Sequence, residues 1–131
     1  MNLQAFGAVG GGAAIGAWLR WGRGALLNPV FPTIPLGTLA ANLLGGFIMG
    51  LAMAVFDHYE ALAPELRLFV MTGFLGGLTT FSTFSAETAT LVTRGELGWS
   101  AAIIGAHVVG SVALTLAGIA LAQLVFGGRM R

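Results

Sequence analysis

The sequence contains no cysteine and no lysine, and only 8% of its 131 residues are charged. The absence of cysteine excludes disulfides, thiolate chemistry and metal sites built on cysteine. A net charge of +1 leaves no basic patch, so we expect no nucleic-acid partner. Soluble domains carry about 25% charged residues, and this chain has too few to cover a water-facing surface. The chain is therefore expected to be an integral membrane protein.

Apolar residues and glycine make up most of the chain, which is 56% hydrophobic and has 21 glycines. Glycine at this frequency suits the close packing of helices in lipid. Long apolar stretches between short loops predict an all-α membrane protein, with residues 1–131 forming a single domain of four transmembrane helices. The spans are expected at about 3–27, 36–56, 66–92 and 99–126, each long enough to cross a bilayer.

The third span contains an unusual run of glycines, hydroxyl residues and phenylalanines at 73–85. Its three glycines lie within five positions, and each weakens a helix by about 1 kcal/mol relative to alanine. Phe81 and Phe84 are three residues apart and share a helix face. Lipid tolerates unpaired backbone groups only where protein or a water-filled cavity receives them, so a break would mark an ion site. We expect a helix broken near mid-membrane; the alternative is a glycine-rich packing face whose hydroxyls bond to their own helix.

Polar side chains form one short line on the second span and another on the fourth. Thr38 and Asn42 are four residues apart, and a buried carboxamide in lipid needs a ligand or a partner on another helix. His107, Ser111 and Thr115 are also spaced four apart, which predicts the wall of a polar pathway. The simpler interpretations are an interhelical hydrogen bond for Asn42 and hydroxyls bonded to their own helix for the fourth span.

Two ionisable side chains lie within spans or at their edges. Glu87 is by default a functional-site candidate; it would carry protons, bind a cation, or pair with an arginine or hydroxyl near the membrane surface. Arg20 lies between Trp18 and Trp21, which indicates an interfacial anchor or a vestibule that attracts anions. The sequence has no metal-ligand spacing, no Ser/His/Asp arrangement and no phosphate loop, so we expect no enzyme.

The arginines do not favour either orientation in the membrane. With four spans, three arginines fall on each side: Arg67, Arg129 and Arg131 on one, and Arg20, Arg23 and Arg94 on the other. The rule that places basic loops in the cytoplasm therefore makes no choice. We expect a homodimer of oppositely inserted copies, since four short helices cannot easily enclose a pathway alone.

Three segments resemble the Fluc (CrcB) fluoride channels of microbes. They are GTLAANLLGG at 37–46, TGFLGGLTTFSTFSAE at 72–87, and Gly110–Ser111 followed by Thr115. The resemblance covers nearly the whole chain, and the second segment is highly specific. It implies a dual-topology homodimer in the bacterial inner membrane, which passes fluoride passively out of the cytoplasm through two antiparallel pores.

The resemblance also implies roles for individual residues. A structural Na⁺ on the two-fold axis would be held by backbone carbonyls at Gly76 and Thr79. The fluoride pathway would comprise Phe81, Phe84, Asn42, Thr38 and the hydroxyl track of Ser111 and Thr115, with Ser82 and Thr83 nearby. Glu87 matches an acid near that track and Arg20 a vestibule residue. The sequence departs from the family at His107, where some members have serine, and at Ile103, where some have tyrosine.

Two other functions remain open from the sequence. One is a small proton-coupled exporter that uses Glu87 as its exchange site, although small four-helix multidrug transporters carry their acid on the first span, where this chain has none. The other is a scaffold that packs helices and moves no ion.

Overall fold

The computed structural model describes residues 1–128, and these are almost entirely helical, with no strand among them. The all-α prediction is therefore confirmed for that part of the chain. Arg129 and Arg131, which entered the count of arginines, lie outside the described residues.

The first helix, α1 (Leu3–Leu27), begins at an N-cap and ends at a proline-rich loop. The side chain of Asn2 accepts a hydrogen bond of 2.8 Å from the Ala5 N–H at its start. A short 3₁₀ turn (Asn28–Val30) follows, and prolines at 29, 32 and 35 prevent the helix from continuing. The Asn28 side chain accepts a hydrogen bond of 2.8 Å from the Gly37 N–H, which joins the loop to the first turn of α2 (Leu36–His58).

The third apolar segment is built from several helical pieces. It comprises α3 (Pro64–Arg67), a π-helical stretch (Leu68–Phe74), α4 (Leu75–Leu78) and α5 (Phe81–Thr93). Between α4 and α5 the backbone is extended, with ψ 159° at Thr79 and ψ 116° at Thr80. This interruption of the helix consists of Thr79 and Thr80, and it lies after the three glycines in the sequence.

Gly73 and Gly77 lie in helical backbone and make close contact with α1. A Cβ built at Gly73 or Gly77 would meet the backbone of α1, at Val9 O and Ala13 O respectively. Small residues let helices approach closely, which is the packing role that the sequence left as the alternative. That alternative also holds for Thr79, whose hydroxyl donates to Leu75 O of its own helix at 2.8 Å. The packing interpretation therefore describes these residues, and a break near mid-membrane stays a prediction.

The last helix, α6 (Leu97–Phe126), lies against α2 along much of its length. Glycines bring the two backbones together, because a Cβ at Gly50 or Gly118 would meet backbone of the other helix at Thr115 O or Phe47 O. Gly127 ends α6 with φ +69°, a left-handed conformation that favours glycine.

Three segments of the described chain are long and apolar enough to cross a membrane: α2, residues 64–93 and α6. Helix α1 has 25 residues and is about 37 Å long, but its glycines and two arginines lower its hydropathy, and it does not meet the same criterion. The protein is thus a multi-pass membrane protein. The mean hydropathy of its first helix is lower than we expected for a span.

Candidate functional site

Asn42 hydrogen bonds to both backbone polar groups of Thr80. The Thr80 N–H donates to Asn42 Oδ1 at 2.7 Å, and Asn42 Nδ2 donates to Thr80 O at 3.0 Å. An uninterrupted helix would have paired the Thr80 N–H with the carbonyl of Gly76. The carboxamide on α2 therefore supplies the hydrogen bonds that the interruption removes, and it holds the extended residues against α2.

The remaining proton of the Asn42 amide points to His107 on α6. Asn42 Nδ2 and His107 Nδ1 are 2.9 Å apart. The His107 side chain is buried, and its other nitrogen, Nε2, has no hydrogen-bond partner among the described residues. Asn42 thus joins α2, the interruption and α6, and both of its amide protons are engaged.

Three aromatic rings form a continuous group beside this network. The rings of Phe81 and Phe84 meet edge to face, with centroids 5.5 Å apart and an interplanar angle of 70°. The ring of Phe84 stacks on His107 with centroids 4.6 Å apart and an angle of 26°. Phe84 is only 7% exposed, whereas Phe81 is 76% exposed and stands on the surface of the chain.

The hydroxyl groups named in the sequence fall into two sets. On α6, Thr115 donates to Ser111 O at 2.9 Å and to Gly46 O at 3.0 Å, whereas no hydrogen bond is made by the Ser111 hydroxyl within the described residues. At the start of α5, the hydroxyls of Ser82 and Thr83 lie 3.3 Å and 3.1 Å from Thr80 Oγ1, which also caps the helix by accepting from the Thr83 N–H.

A groove of about 370 Å³ brings most of these residues together. Its wall has no residue with a formal charge, and it consists of Asn42, Gly45, Gly46, Met49, Leu75, Thr79, Thr80, Phe81, Phe84, His107, Val108, Ser111, Val112 and Thr115. Ser82 and Thr83 are not part of this wall. A second groove, of about 550 Å³, also has Phe81 and Phe84 in its wall, together with Ser85 and Thr88. Phe81, Phe84 and Val108 therefore belong to the walls of both grooves.

Thr38 and Glu87 form a pair of their own. The Thr38 hydroxyl donates to Glu87 Oε1 at 2.6 Å, while Glu87 Oε2 is buried without a partner among the described residues. Glu87 belongs to the wall of a different cavity, of about 320 Å³, which also contains Arg94 and Glu96 near the loop before α6. The surface pairing that the sequence allowed for Glu87 thus takes the form of a hydroxyl partner.

Arg20, on α1, and Gly76, which is exposed, are not part of the wall of the groove. Arg20 Nε donates to Gly77 O at 3.0 Å and so supports a carbonyl at the end of α4. The carbonyls of Gly76 and Thr79 accept no hydrogen bond in the part of the chain that the structure describes, because the amides four residues on bond to Asn42 and to the Thr80 hydroxyl. Carbonyls released by an unwound helix are the ligands that transporters use for Na⁺.

Sequence reasoning did not include Thr80 among the site residues. Its backbone is the partner that Asn42 requires, and its hydroxyl organises the first turn of α5. The sequence did carry a signal for Thr80. A carboxamide in a span needs partners, and Thr80 lies in the segment that was expected to be irregular.

Comparison with known proteins decides the family. A family model described as CrcB-like protein, Camphor Resistance (CrcB), matches residues 7–119.

The chain belongs to the CrcB family.

The predicted membership is confirmed, and relatives match over nearly their full length. The chain is 60% identical over 119 residues to the fluoride-specific ion channel FluC of Nitrosospira multiformis, covering 91% of this chain and 93% of the relative. It is 60% identical to FluC of Aromatoleum aromaticum, with 91% of each chain covered. It is 52% identical over 125 residues to FluC of Pseudomonas putida, covering 95% of this chain and 98% of the relative.

Proposed function

We propose that the chain is a fluoride-selective channel that lets F⁻ leave the cytoplasm passively and so gives resistance to fluoride. Relatives that match most of the chain are named fluoride-specific ion channels, and the protein is not an enzyme. The observation that carries the proposal is the groove beside the helix interruption, whose wall combines neutral donors and aromatic rings without a formal charge.

Neutral groups suit the conduction of a small halide. Fluoride holds its water tightly, so a pathway must offer donors in exchange, but a fixed cation would bind the ion too strongly for it to leave. The Ser111 hydroxyl is a donor in the wall that has no acceptor among the described residues, whereas the protons of Asn42 and Thr115 already have acceptors. Asn42 therefore orients the pathway. Thr38, Ser82 and Thr83 are not in the wall of this groove, and their place in the pathway rests on the family resemblance.

The pair of phenylalanines is suited to an anion at its edges. An aromatic ring has a positive edge and a negative face, so F⁻ is attracted only to the edge. Both rings belong to the walls of both grooves, and we expect an ion that moves between the grooves to pass the edges of Phe81 and Phe84.

The functional unit is a homodimer of oppositely inserted copies with two pores. Each chain crosses the inner membrane four times, and its third helix is interrupted near mid-membrane. Phe81 is largely exposed at the mouth of an open groove in the single chain, and a second copy would cover it. The balance of arginines that the sequence displays favours neither orientation.

A structural Na⁺ would occupy the two-fold axis. The carbonyls of Gly76 and Thr79 fit this role because neither has a hydrogen-bond partner in the described chain, and Na⁺ is a hard cation that prefers oxygen. Its charge would hold together two unwound segments whose carbonyls otherwise repel each other.

A proton-coupled exporter is the second candidate, because Glu87 Oε2 is buried without a partner among the described residues and could take a proton. The two functions differ in what drives them. We expect purified protein in liposomes to release fluoride, measured with a fluoride electrode, when K⁺ and valinomycin balance charge and no proton gradient exists. Chloride in place of fluoride should not leave. Strict dependence on a proton gradient would instead support the exporter, and loss of both activities would support a scaffold.

The dimer geometry has its own test, which uses the lack of cysteine. A single cysteine placed at Gly128 or at Gly98 is the only thiol in the chain, so its labelling in intact cells is unambiguous. Opposite insertion predicts that an impermeant maleimide labels about half of the molecules at either position. Complete labelling at one position and none at the other would contradict it.

A further inference from the structure

Arg23, near the end of α1, has a guanidinium without a partner. The residue is half-buried, yet its side chain makes no hydrogen bond, ion pair or ring contact with the residues that the structure describes. Arg20, one turn earlier, donates to Gly77 O, and Arg67 donates to Phe56 O and lies over the Phe56 ring. A partly buried charge is costly unless another group pairs with it. Arg23 therefore differs from these two arginines in lacking an acceptor within the described chain.

The depth of Arg23 in the membrane corresponds to the level of lipid phosphates. The helix rises about 30 Å between Leu3, where α1 begins, and Arg23. The hydrocarbon core of a bilayer is also about 30 Å thick. Trp18 and Trp21 are 70% and 77% exposed, and exposed tryptophans are typical of the headgroup level. Arg23 thus lies where the apolar part of the bilayer ends.

The helix surface beside Arg23 is apolar and open. Residues three and four positions apart are neighbours on a helix, and those of Arg23 include Leu19 and Leu26. Leu19 is 46% exposed and Leu26 is 76% exposed, so an acyl chain can lie against both. A phospholipid supplies the two groups that fit this surface, which are a phosphate for the guanidinium and an acyl chain for the leucines.

The charges on this side of the membrane favour a lipid with a net negative charge. Arg94 belongs to the wall of a cavity that also contains Glu87 and Glu96, so carboxylates lie near it. Arg23 has no such neighbour along the helix, because α1 contains no acidic residue. A zwitterionic lipid carries an ammonium group that competes for its phosphate, whereas the charge of an anionic lipid is left for the arginine.

We propose that Arg23 binds the phosphate of an anionic phospholipid whose acyl chain lies along Leu19 and Leu26. This inference does not depend on fluoride transport and goes beyond the proposed function. The planar guanidinium can donate two parallel hydrogen bonds to two phosphate oxygens. The contact holds the end of α1 at the headgroup level. In a dimer of oppositely inserted copies, each leaflet would contain one such site.

Native mass spectrometry tests the proposal on the full-length protein, released from micelles that contain equal amounts of phosphatidylglycerol and phosphatidylcholine. We expect phosphatidylglycerol to bind about fivefold more tightly, the effect of one arginine near anionic lipid. The preference should disappear in Arg23→Gln and largely persist in Arg23→Lys, which retains the charge. Arg94→Gln removes the same charge from the same side of the membrane and should keep the preference. Equal binding of the two lipids by the wild type, or a preference that survives Arg23→Gln, overturns the proposal.

Thermal unfolding in detergent provides a second measurement with the same variants. A lipid that binds the folded protein raises its unfolding midpoint. Added phosphatidylglycerol should raise the midpoint of the wild type and of Arg94→Gln more than phosphatidylcholine does, and the two lipids should act alike on Arg23→Gln. A preference lost equally in Arg23→Gln and Arg94→Gln would be a general effect of charge, and it overturns the proposal.

The place of the acyl chain is tested with a fluorophore at position 26. The chain has no cysteine, so Leu26→Cys provides a single thiol for labelling. In vesicles that contain both lipids, brominated phosphatidylglycerol should quench the fluorophore more strongly than brominated phosphatidylcholine. The absence of quenching by either lipid, as expected if a second copy of the chain covers Leu26, overturns the proposal.

Discussion

Asn42 and Thr80 are joined by two hydrogen bonds, of 2.7 Å and 3.0 Å, which pair one side-chain amide with both backbone groups of a residue outside any helix. In an apolar protein an unwound backbone survives only if its polar groups find such partners. The relationship explains why an interruption and a carboxamide on a different helix occur together in this chain.

Replacing Asn42 with alanine should destabilise the protein substantially. Both polar groups of Thr80 would lose their partner, at about 1–3 kcal/mol each. We expect a lower unfolding midpoint in detergent and no fluoride transport. Asn2→Ala is a suitable control because Asn2 makes a single exposed hydrogen bond to the Ala5 N–H. Its loss should lie at the low end of the range of about 0.5–2 kcal/mol for a helix cap. Equal losses in the two variants would contradict the role of Asn42.

Substitutions of Phe81 and Phe84 should both impair fluoride efflux but should differ in their effect on stability. Phe84 is 7% exposed, so Phe84→Ile should lower the free energy of unfolding by about 1–3 kcal/mol as well as impair efflux. Phe81 is 76% exposed in the single chain, so Phe81→Ile should lower the free energy of unfolding by less than Phe84→Ile does. Fluoride efflux through Phe81→Ile should nevertheless fall. Unchanged efflux in both variants would mean that the rings do not line the pathway.

The glycines of the third segment should prove necessary for packing. A Cβ at Gly77 would meet Ala13 O on α1, so Gly77→Ala should force the two helices apart and lower stability. At Gly10 nothing lies within 4 Å of an added Cβ, and Gly10→Ala should be neutral or stabilise the helix by up to about 1 kcal/mol. Thermal unfolding in the same detergent compares the two variants. A loss of stability in Gly10→Ala alone would contradict this account.

Arg20 should stabilise the end of α4 rather than the whole protein. Its Nε donates to Gly77 O, so Arg20→Met should weaken that end by about 1 kcal/mol, which corresponds to about fivefold faster local opening. Hydrogen–deuterium exchange should rise in residues 75–80 and stay constant in α6. Arg23→Met provides a control in which no faster exchange of 75–80 is expected. Equal changes in both variants would indicate a general effect of lost charge.

Much of the site was accessible from residue types and spacing. Asn42 was expected to need a partner, and it has one in Thr80. His107, Ser111 and Thr115 lie in the wall of one groove, and their role in a polar pathway stays a prediction. The sequence did not indicate that both amide protons of Asn42 bond to protein acceptors. The acceptors, on Thr80 and His107, lie 38 and 65 residues away along the chain. It also did not separate Glu87 from the groove, since helix spacing alone places that residue on the same face as Phe84.

Composition by itself determined that the protein lies in a membrane, because so few charges cannot cover a surface in water. The long apolar stretches determined that its spans are helices. Local sequence likewise determined that the third segment would be irregular. Only the tertiary structure decided that the helix opens at the two threonines instead of at the glycines. The physical reason is that α1 packs against Gly73 and Gly77 and keeps them helical, whereas Asn42 on α2 offers Thr80 the hydrogen bonds that an open backbone needs.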